Sequence, residues 1–214
     1  MYNQPNKYSY IMISLEKWFE IEANVISQVK TLDFSNKGIT EIPSLVKYKN
    51  LTRLNCNNNY LTKIPELPDN LRFLDVKNNQ IEKIPSRLPR NLRTFDCANN
   101  RIRKIPEVLP PYLKIFICNN NKIKIMPPLD RSHLIRLECM RNKIHYLHNL
   151  PASLIVFNYD ALQMREDPFL VGELQKKIWV NGFCIQTEQC KESDDFSVYF
   201  SKSEKSYDSY LEWK

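Results

Sequence analysis

A block of about 20 residues recurs along most of this chain, and it constrains the fold more than any single residue does. In the block that begins at Leu71, apolar residues stand at positions 71, 74, 76, 81 and 84, and Asn79 interrupts them. A repeat of this length cannot bury its apolar face without a neighbour, so the sequence predicts a solenoid. The seven blocks begin at Val29, Leu51, Leu71, Leu92, Leu113, Leu134 and Leu154.

The two halves of each block predict different backbone structures. The first half alternates apolar and mostly polar residues, as in Leu71–Val76, which is typical of a short strand. Strands stacked at a constant spacing form a parallel sheet, and this sheet lines the concave face. The second half carries Ile-Pro and Leu-Pro pairs, as at Pro65 and Pro68. Proline fixes φ and removes an amide donor, so we expect extended, polyproline-like returns without helix on the convex face.

The composition of the chain divides it into five segments. The seven repeat units fill residues 29–163, and residues 1–13 are expected to be disordered. Residues 14–28 have apolar side chains at helical spacing, which predicts a short N-terminal helical cap. Such a cap covers the apolar core and the sheet edge that an open solenoid end exposes. We expect a second cap over residues 164–190 and a polar tail over residues 191–214.

Asparagine follows the predicted strand at the same position in five blocks. Its side chain has two donor hydrogens and an acceptor oxygen, enough to satisfy backbone groups where the chain bends away from the strand. We therefore expect a buried structural ladder with no binding role. Its members are Asn59, Asn79, Asn100, Asn121 and Asn142.

Four cysteines also share one repeat position, which Phe34 and Val76 fill in other blocks. These are Cys56, Cys97, Cys118 and Cys139. This position predicts a buried column of small apolar residues with reduced thiols. One thiol per coil in a straight row cannot form a tetrahedral zinc site, so we expect no metal and no cofactor. Cys184 and Cys190 lie outside the repeats and are the better candidates for a redox or structural pair.

The consensus Leu-x-x-Leu-x-Val-x-x-Asn-x-Ile-x-x-Ile-Pro-x-x-Leu-Pro resembles the leucine-rich repeat in its short bacterial form. It is similar to the repeats of effector proteins of enteric pathogens, and related repeats occur in proteins of giant DNA viruses. The resemblance implies a scaffold that binds a partner. Some effectors of this family resemble ubiquitin ligases, which would make the repeats a substrate-recognition part. However, only 51 residues follow position 163, and neither Cys184 nor Cys190 has the Asp two residues later that the family nucleophile needs.

The sequence gives no support for an enzyme. His133, His145 and His148 are the only histidines, no carboxylate pair is arranged around them, and three glycines cannot supply a phosphate-binding loop. No segment has the composition of a secretory signal or of a membrane span. We expect a monomeric cytoplasmic protein, in the host cytoplasm if it is an effector. The net charge of +7 is compatible with acidic partners or nucleic acid, although solubility alone explains such a charge.

Outward positions of the strands are the candidate partner-binding site. Apolar residues occupy them in the C-terminal half, where earlier blocks place polar residues; these anchors are Ile115, Ile117, Ile135, Met140 and Val156. Such a patch is typical of an interface, either with a partner or with residues 164–190 folded back over it. Charged columns add complementarity, a basic one of Arg72, Arg93 and Lys114 and an acidic one of Asp75, Asp96 and Glu138. We expect the two columns to neutralise each other across the sheet.

A basic flank is the alternative site. Seven cations gather on successive coils around the asparagine turn: Arg101, Arg103, Lys104, Lys122, Lys124, Arg141 and Lys143. Neighbouring cations repel one another, and a polyanion such as nucleic acid relieves that repulsion. No aromatic residues are interleaved with them to stack on bases.

Overall fold

The computed structural model describes residues 26–129, 132–144 and 150–159. Seven strands of three residues each form one sheet in which every strand is parallel to the next along the chain. They are β1 (Thr31–Asp33), β2 (Arg53–Asn55), β3 (Phe73–Asp75), β4 (Thr94–Asp96), β5 (Ile115–Ile117), β6 (Arg136–Glu138) and β7 (Val156–Asn158). The expected parallel sheet, with one strand from each repeat, is confirmed.

Like positions of successive coils lie side by side. Leu32 pairs with Leu54, and Leu54 pairs with Leu74, so the central residue of each strand stacks on that of the next. The same register brings Phe95 against Phe116, whose rings stack with centroids 5.6 Å apart. These central side chains are fully buried, and they form one face of a continuous core.

The cysteine column belongs to the same core. Cys56, Cys97, Cys118 and Cys139 are all buried and carry free thiols. Burial raises the pKa of the Cys56, Cys97 and Cys118 thiols far above the ordinary value of 9.0. Because the thiolate is the reactive form, these cysteines are chemically inert and serve in packing.

Extended segments with turns and bends return the chain along the convex face. The described part of these returns contains no helix, as the paired prolines predicted. Ile42, Ile64, Ile84 and Ile105 point from the returns into the core and close it on the side opposite the sheet. The solenoid therefore has two layers, a sheet and a layer of irregular extended chain.

The turns after β2 to β5 each carry two consecutive asparagines, and the second of them, together with Asn142 after β6, forms the predicted ladder. Asn100 Nδ2 donates to the carbonyl oxygens of Val76, Cys97 and Ala98 at 3.0–3.1 Å. Its Oδ1 accepts the amide of Ile81 from the preceding coil at 2.9 Å. Asn59, Asn79, Asn121 and Asn142 bond in the same way. Each side chain therefore joins two coils.

The residue before the ladder position, which Lys37 fills in the first coil, adopts the left-handed backbone conformation, and the sequence did not predict this. Its φ lies between 53° and 56° in six coils, at Asn36, Asn58, Asn78, Asn99, Asn120 and Arg141. Asparagine tolerates this region better than most residues other than glycine. The doublet Asn-Asn in four repeats was the available signal. Exposed side chains of this column also bond in series, with Asn99 Nδ2 and Asn120 Nδ2 each 2.6 Å from the preceding amide oxygen.

Several expectations fall outside the described residues. They concern the segment 1–13, most of the predicted cap at 14–28, the segments 164–190 and 191–214, both C-terminal cysteines, His145 and His148. These remain predictions from the sequence.

Candidate recognition surface on the concave face

The first and third residues of every strand flank the buried central residue and point to the concave side. Because the strands are in register, they form two columns of partly exposed side chains. The first column contains Thr31, Arg53, Phe73, Thr94, Ile115, Arg136 and Val156. The third-residue column contains Asp33, Asn55, Asp75, Asp96, Ile117, Glu138 and Asn158. These fourteen positions are the candidate recognition surface.

The five predicted apolar anchors lie on or beside the last three strands. Ile115 and Ile117 occupy both concave positions of β5, and Val156 begins β7. Ile135 directly precedes β6, and Met140 follows its end by two residues. All five side chains are half-buried, so each presents part of its apolar surface to solvent.

An ion pair divides this apolar surface. Arg136 and Glu138 stand at the two concave positions of β6, between the isoleucines of β5 and Val156 of β7. The guanidinium of Arg136 donates through Nε and Nη2 to Glu138 Oε1, and Asn119 Nδ2 donates to Glu138 Oε2 at 2.9 Å. The sequence analysis did not single out Arg136, although it occupies the same column as Ile115.

Aspartate and asparagine in the third-residue column have a local structural role. Their side-chain oxygens accept the backbone N–H two residues later: Asp75 Oδ1 from Lys77 at 3.0 Å and Asp96 Oδ1 from Ala98 at 3.0 Å. Asn55 accepts from Asn57 in the same way at 3.2 Å. This hydrogen bond starts the turn that leaves the strand, which explains why short polar side chains recur there.

The charged columns do not neutralise each other as expected. Asp75 and Glu138 are only 7% and 8% exposed, and their cationic partners are Lys77 and Arg136. The expected partners were wrong. Arg136 and Glu138 are two residues apart on β6 and face the same side of the sheet, and Lys77 follows Asp75 by two residues just after β3. Arg72, Arg93 and Lys114 stand just before the strands, and the described residues place no carboxylate within 4.0 Å of them. They form an exposed basic margin of the concave face.

Asp96 is the electrostatically unusual member of the acidic column. Burial raises the pKa of its carboxyl from the ordinary 3.8 to about 6. The hydrogen bond from Ala98 lowers this pKa, whereas the charge of Asp75, its register neighbour on β3, raises it further. Part of the Asp96 population is therefore protonated just below neutral pH.

At the N-terminal end of the sheet an aromatic residue joins the surface. The guanidinium carbon of Arg53 lies 4.2 Å from the ring centroid of Phe73, its register neighbour on β3. This cation–π contact holds both side chains flat over the sheet. Neither residue was predicted from the sequence, although Ile115 and Val156 of the same column were.

The seven predicted polyanion-binding cations lie away from these two columns. All seven are exposed, and they occupy the turn after the strand and the first part of the return on three successive coils. The structure thus separates the two candidate sites onto different surfaces.

Comparison with known proteins decides what kind of solenoid this is. The family described as "Leucine Rich repeats (2 copies)" matches residues 27–69 and 69–111. The fold is a leucine-rich-repeat solenoid. Among solved structures, YopM, a leucine-rich effector protein from Yersinia pestis, is 28% identical with a TM-score of 0.51. This match covers 62% of the present chain and 43% of YopM, and it supports an effector-like class of repeat.

A leucine-rich-repeat protein of Leptospira interrogans shows the same fold at 20% identity and a TM-score of 0.54. That match covers 77% of the present chain and 50% of the Leptospira chain. No curated protein sequence matches this one. In the part of the chain that the structure describes, there is no helix long and apolar enough to span a bilayer.

Proposed function

We propose that this leucine-rich-repeat protein is a non-catalytic scaffold that binds another protein on the concave face, centred on β5. The fold is one that commonly serves protein–protein interaction. The observation that carries the more specific proposal is the apolar pair Ile115 and Ile117, which fills both concave positions of one strand. Neighbouring strands place Thr94 and Asp96 on one side and the Arg136–Glu138 pair on the other. An apolar centre within a polar rim is the usual anatomy of a protein interface.

The rim specifies what a partner should offer. An apolar side chain of the partner packs between the two isoleucines, while acidic groups reach the exposed margin of Arg93 and Lys114. Ile135, Met140 and Val156 extend the apolar contact beyond the Arg136–Glu138 pair. Exposed cations at an interface margin mainly accelerate association and select against wrong partners.

The acidic column divides into two roles in this proposal. Asp75 and Glu138 are occupied by internal hydrogen bonds and ion pairs, so they shape the surface and position neighbouring side chains. Asp96 is half-buried and its outer oxygen is available to a donor from the partner. Arg72 continues the basic margin toward Phe73. A monomeric state, a cytoplasmic location and the absence of ligase activity remain predictions.

Exchanging the β5 isoleucines for residues that other coils place in the same columns tests the proposal. The variant Ile115→Thr/Ile117→Asn copies Thr94 and Asn55, so it is expected to fold normally. Aspartate at 117 is less suitable because it would stand between Asp96 and Glu138. With partners captured from host extract and then purified, we expect at least a tenfold loss of affinity in titration calorimetry.

A matched control changes apolar residues elsewhere on the surface. Val108 and Ile125 are exposed on the return segments, and Val108→Thr/Ile125→Asn makes the same kinds of exchange there. The control should retain the wild-type affinity. Equal affinity of the wild type and the β5 variant, with both folded by circular dichroism, would remove β5 from the interface.

A further inference from the structure

The seven exposed cations defined above as the basic flank are arranged as a lattice. The amide of Lys122 donates to Ile102 O and that of Lys143 donates to Ile123 O, both at 2.8 Å, while Arg101 makes the equivalent bond to Ile81 O. These bonds align Arg101, Lys122 and Lys143 in one column, with neighbours at the inter-coil spacing of about 4.8 Å. Two residues further along the chain, Arg103 and Lys124 begin a second column.

Six of these cations, Arg101, Arg103, Lys104, Lys122, Lys124 and Lys143, are poorly neutralised. Lys104 lies 4.0 Å from Glu107, and both side chains are largely exposed, so this pair contributes little. The described residues place no carboxylate within 4.0 Å of Arg101, Arg103, Lys122, Lys124 or Lys143. In the preceding coils the same two columns hold Tyr60 and Thr62, then Gln80 and Glu82. In these two columns the positive charge therefore starts at the fourth coil, while the Lys104 position is already lysine in the preceding coils, at Lys63 and Lys83.

The density of this charge indicates the kind of ligand. Two cations per coil correspond to about one positive charge for each 2.4 Å along the solenoid axis, given a coil spacing of about 4.8 Å. Double-stranded DNA carries about one negative charge for each 1.7 Å of its axis. The two densities are of the same order.

The neighbouring side chains favour a duplex over a single strand. Single-stranded nucleic acid is usually held by aromatic side chains that stack on bases, and the flank columns of coils four to six contain none in the described residues. Beside the cations runs the exposed amide series of Asn99 and Asn120. Each amide nitrogen keeps a second N–H, which can donate to a phosphate or sugar oxygen as many backbone contacts to DNA do.

We propose that the basic flank binds the phosphate backbone of a double-stranded nucleic acid without reading its sequence. Rows of cations on one rigid face contact phosphates on the outside of the duplex, and no side chain of this surface needs to reach a base. The inference is independent of the concave-face function because the two surfaces share no residue.

Fluorescence anisotropy with a labelled 20-base-pair DNA duplex of mixed sequence tests this inference. We expect the full chain to bind at 20–50 mM KCl and to lose affinity steeply as salt rises. The variant Lys122→Glu/Lys124→Glu is expected to bind at least tenfold more weakly at 50 mM KCl. Its slope of log affinity against log salt should be smaller by about 2, because two phosphate contacts are lost.

The variant Lys49→Glu/Arg90→Glu is a control with the same change in net charge. Both residues are exposed in turns before a strand, away from the flank, so affinity should fall less than threefold. The variant Ile115→Thr/Ile117→Asn should bind the duplex like the wild type. Absence of duplex binding at 20 mM KCl, or equal losses of duplex affinity in the two charge variants, would overturn the proposal. So would tighter binding of single-stranded than of double-stranded DNA, or binding of heparin without binding of the duplex.

Discussion

Replacing Asn100 with leucine is expected to lower the free energy of unfolding by about 1–3 kcal/mol. The amide side chain satisfies three carbonyl oxygens and the Ile81 amide, all buried or nearly so, and they belong to two successive coils. Leucine is of similar size but offers no hydrogen bonds, so the Ile81 amide loses its acceptor, whereas Val76 O, Cys97 O and Ala98 O each keep one other donor, from Asn79, Asn121 and Asn78. Each buried group left unsatisfied costs about 1–3 kcal/mol, and local relaxation recovers part of the total. Urea denaturation followed by circular dichroism measures the change.

The same substitution at an exposed asparagine provides the control. Asn70 Nδ2 donates to Lys49 O at 2.8 Å on the surface, where water can replace the bond. We expect Asn70→Leu to change stability by less than about 1 kcal/mol. Similar stabilities of the two variants would show that the Asn100 amide does not hold the coils together.

Replacing Asp96 with asparagine is expected to stabilise the protein by about 1–2 kcal/mol at pH 8 and to have little effect at pH 4. The pKa of Asp96 is about 6 in the folded protein against 3.8 ordinarily, so ionisation of this carboxyl opposes folding. That penalty is absent below the ordinary pKa, grows as pH rises to 6 and is complete above it. Asparagine removes the charge and can still accept the Ala98 amide, as Asn55 accepts that of Asn57.

Asp33 in the same column provides a control with the opposite sign. Burial raises its pKa, but hydrogen bonds from Ser35 and Asn55 outweigh burial and hold the pKa below 3.8. Its ionised form therefore favours folding above the ordinary pKa, and this stabilisation is lost as pH falls. Asp33→Asn should destabilise the protein at pH 8. Denaturation curves of both variants at pH 4 and pH 8 check the prediction, which is wrong if both variants shift in the same direction at pH 8.

The periodicity of the sequence was sufficient to predict the sheet and the residues that face its core. Leu54, Leu74 and Phe95 recur at one repeat position and stack in the structure as expected. The paired prolines likewise excluded helix from the returns that the structure describes. Such predictions succeed because a solenoid applies the same local constraint in every coil, so that each repeat gives independent evidence for one geometry.

Side-chain pairing could not be predicted from the same pattern. Arg72 stands three residues before Asp75 in the sequence, but Asp75 pairs with Lys77, two residues after it. The Arg136–Glu138 pair and the Arg53–Phe73 contact depend on which of the neighbouring positions points to the concave face. Ile115 and Val156 belong to the concave columns, but the basic column of Arg72, Arg93 and Lys114 was taken one residue before the first concave position. A shift of one residue moves a side chain to another face of a strand.

The left-handed turn residue was missed for a different reason. Asn99 and Asn100 are the same amino acid with different roles. Asn99 adopts the left-handed backbone conformation, and the side chain of Asn100 forms hydrogen bonds with buried backbone groups. The sequence alone does not distinguish the backbone role from the hydrogen-bonding role. Arg141 adopts the same left-handed conformation, so asparagine is not required at this position and its recurrence is a weaker indication of the conformation.

Methyl-methyl nuclear Overhauser effects in a leucine- and isoleucine-labelled sample test most directly whether successive coils stack in register. We expect cross-peaks between Leu32 and Leu54 and between Leu54 and Leu74, which are register partners on adjacent strands. We expect a second series between Ile81, Ile102 and Ile123 in the core below the asparagine ladder. Leu32 and Leu74 are two coils apart, about 10 Å, and should give no direct cross-peak. Missing contacts between neighbouring coils, or a cross-peak pattern shifted by one residue, would contradict both proposed surfaces.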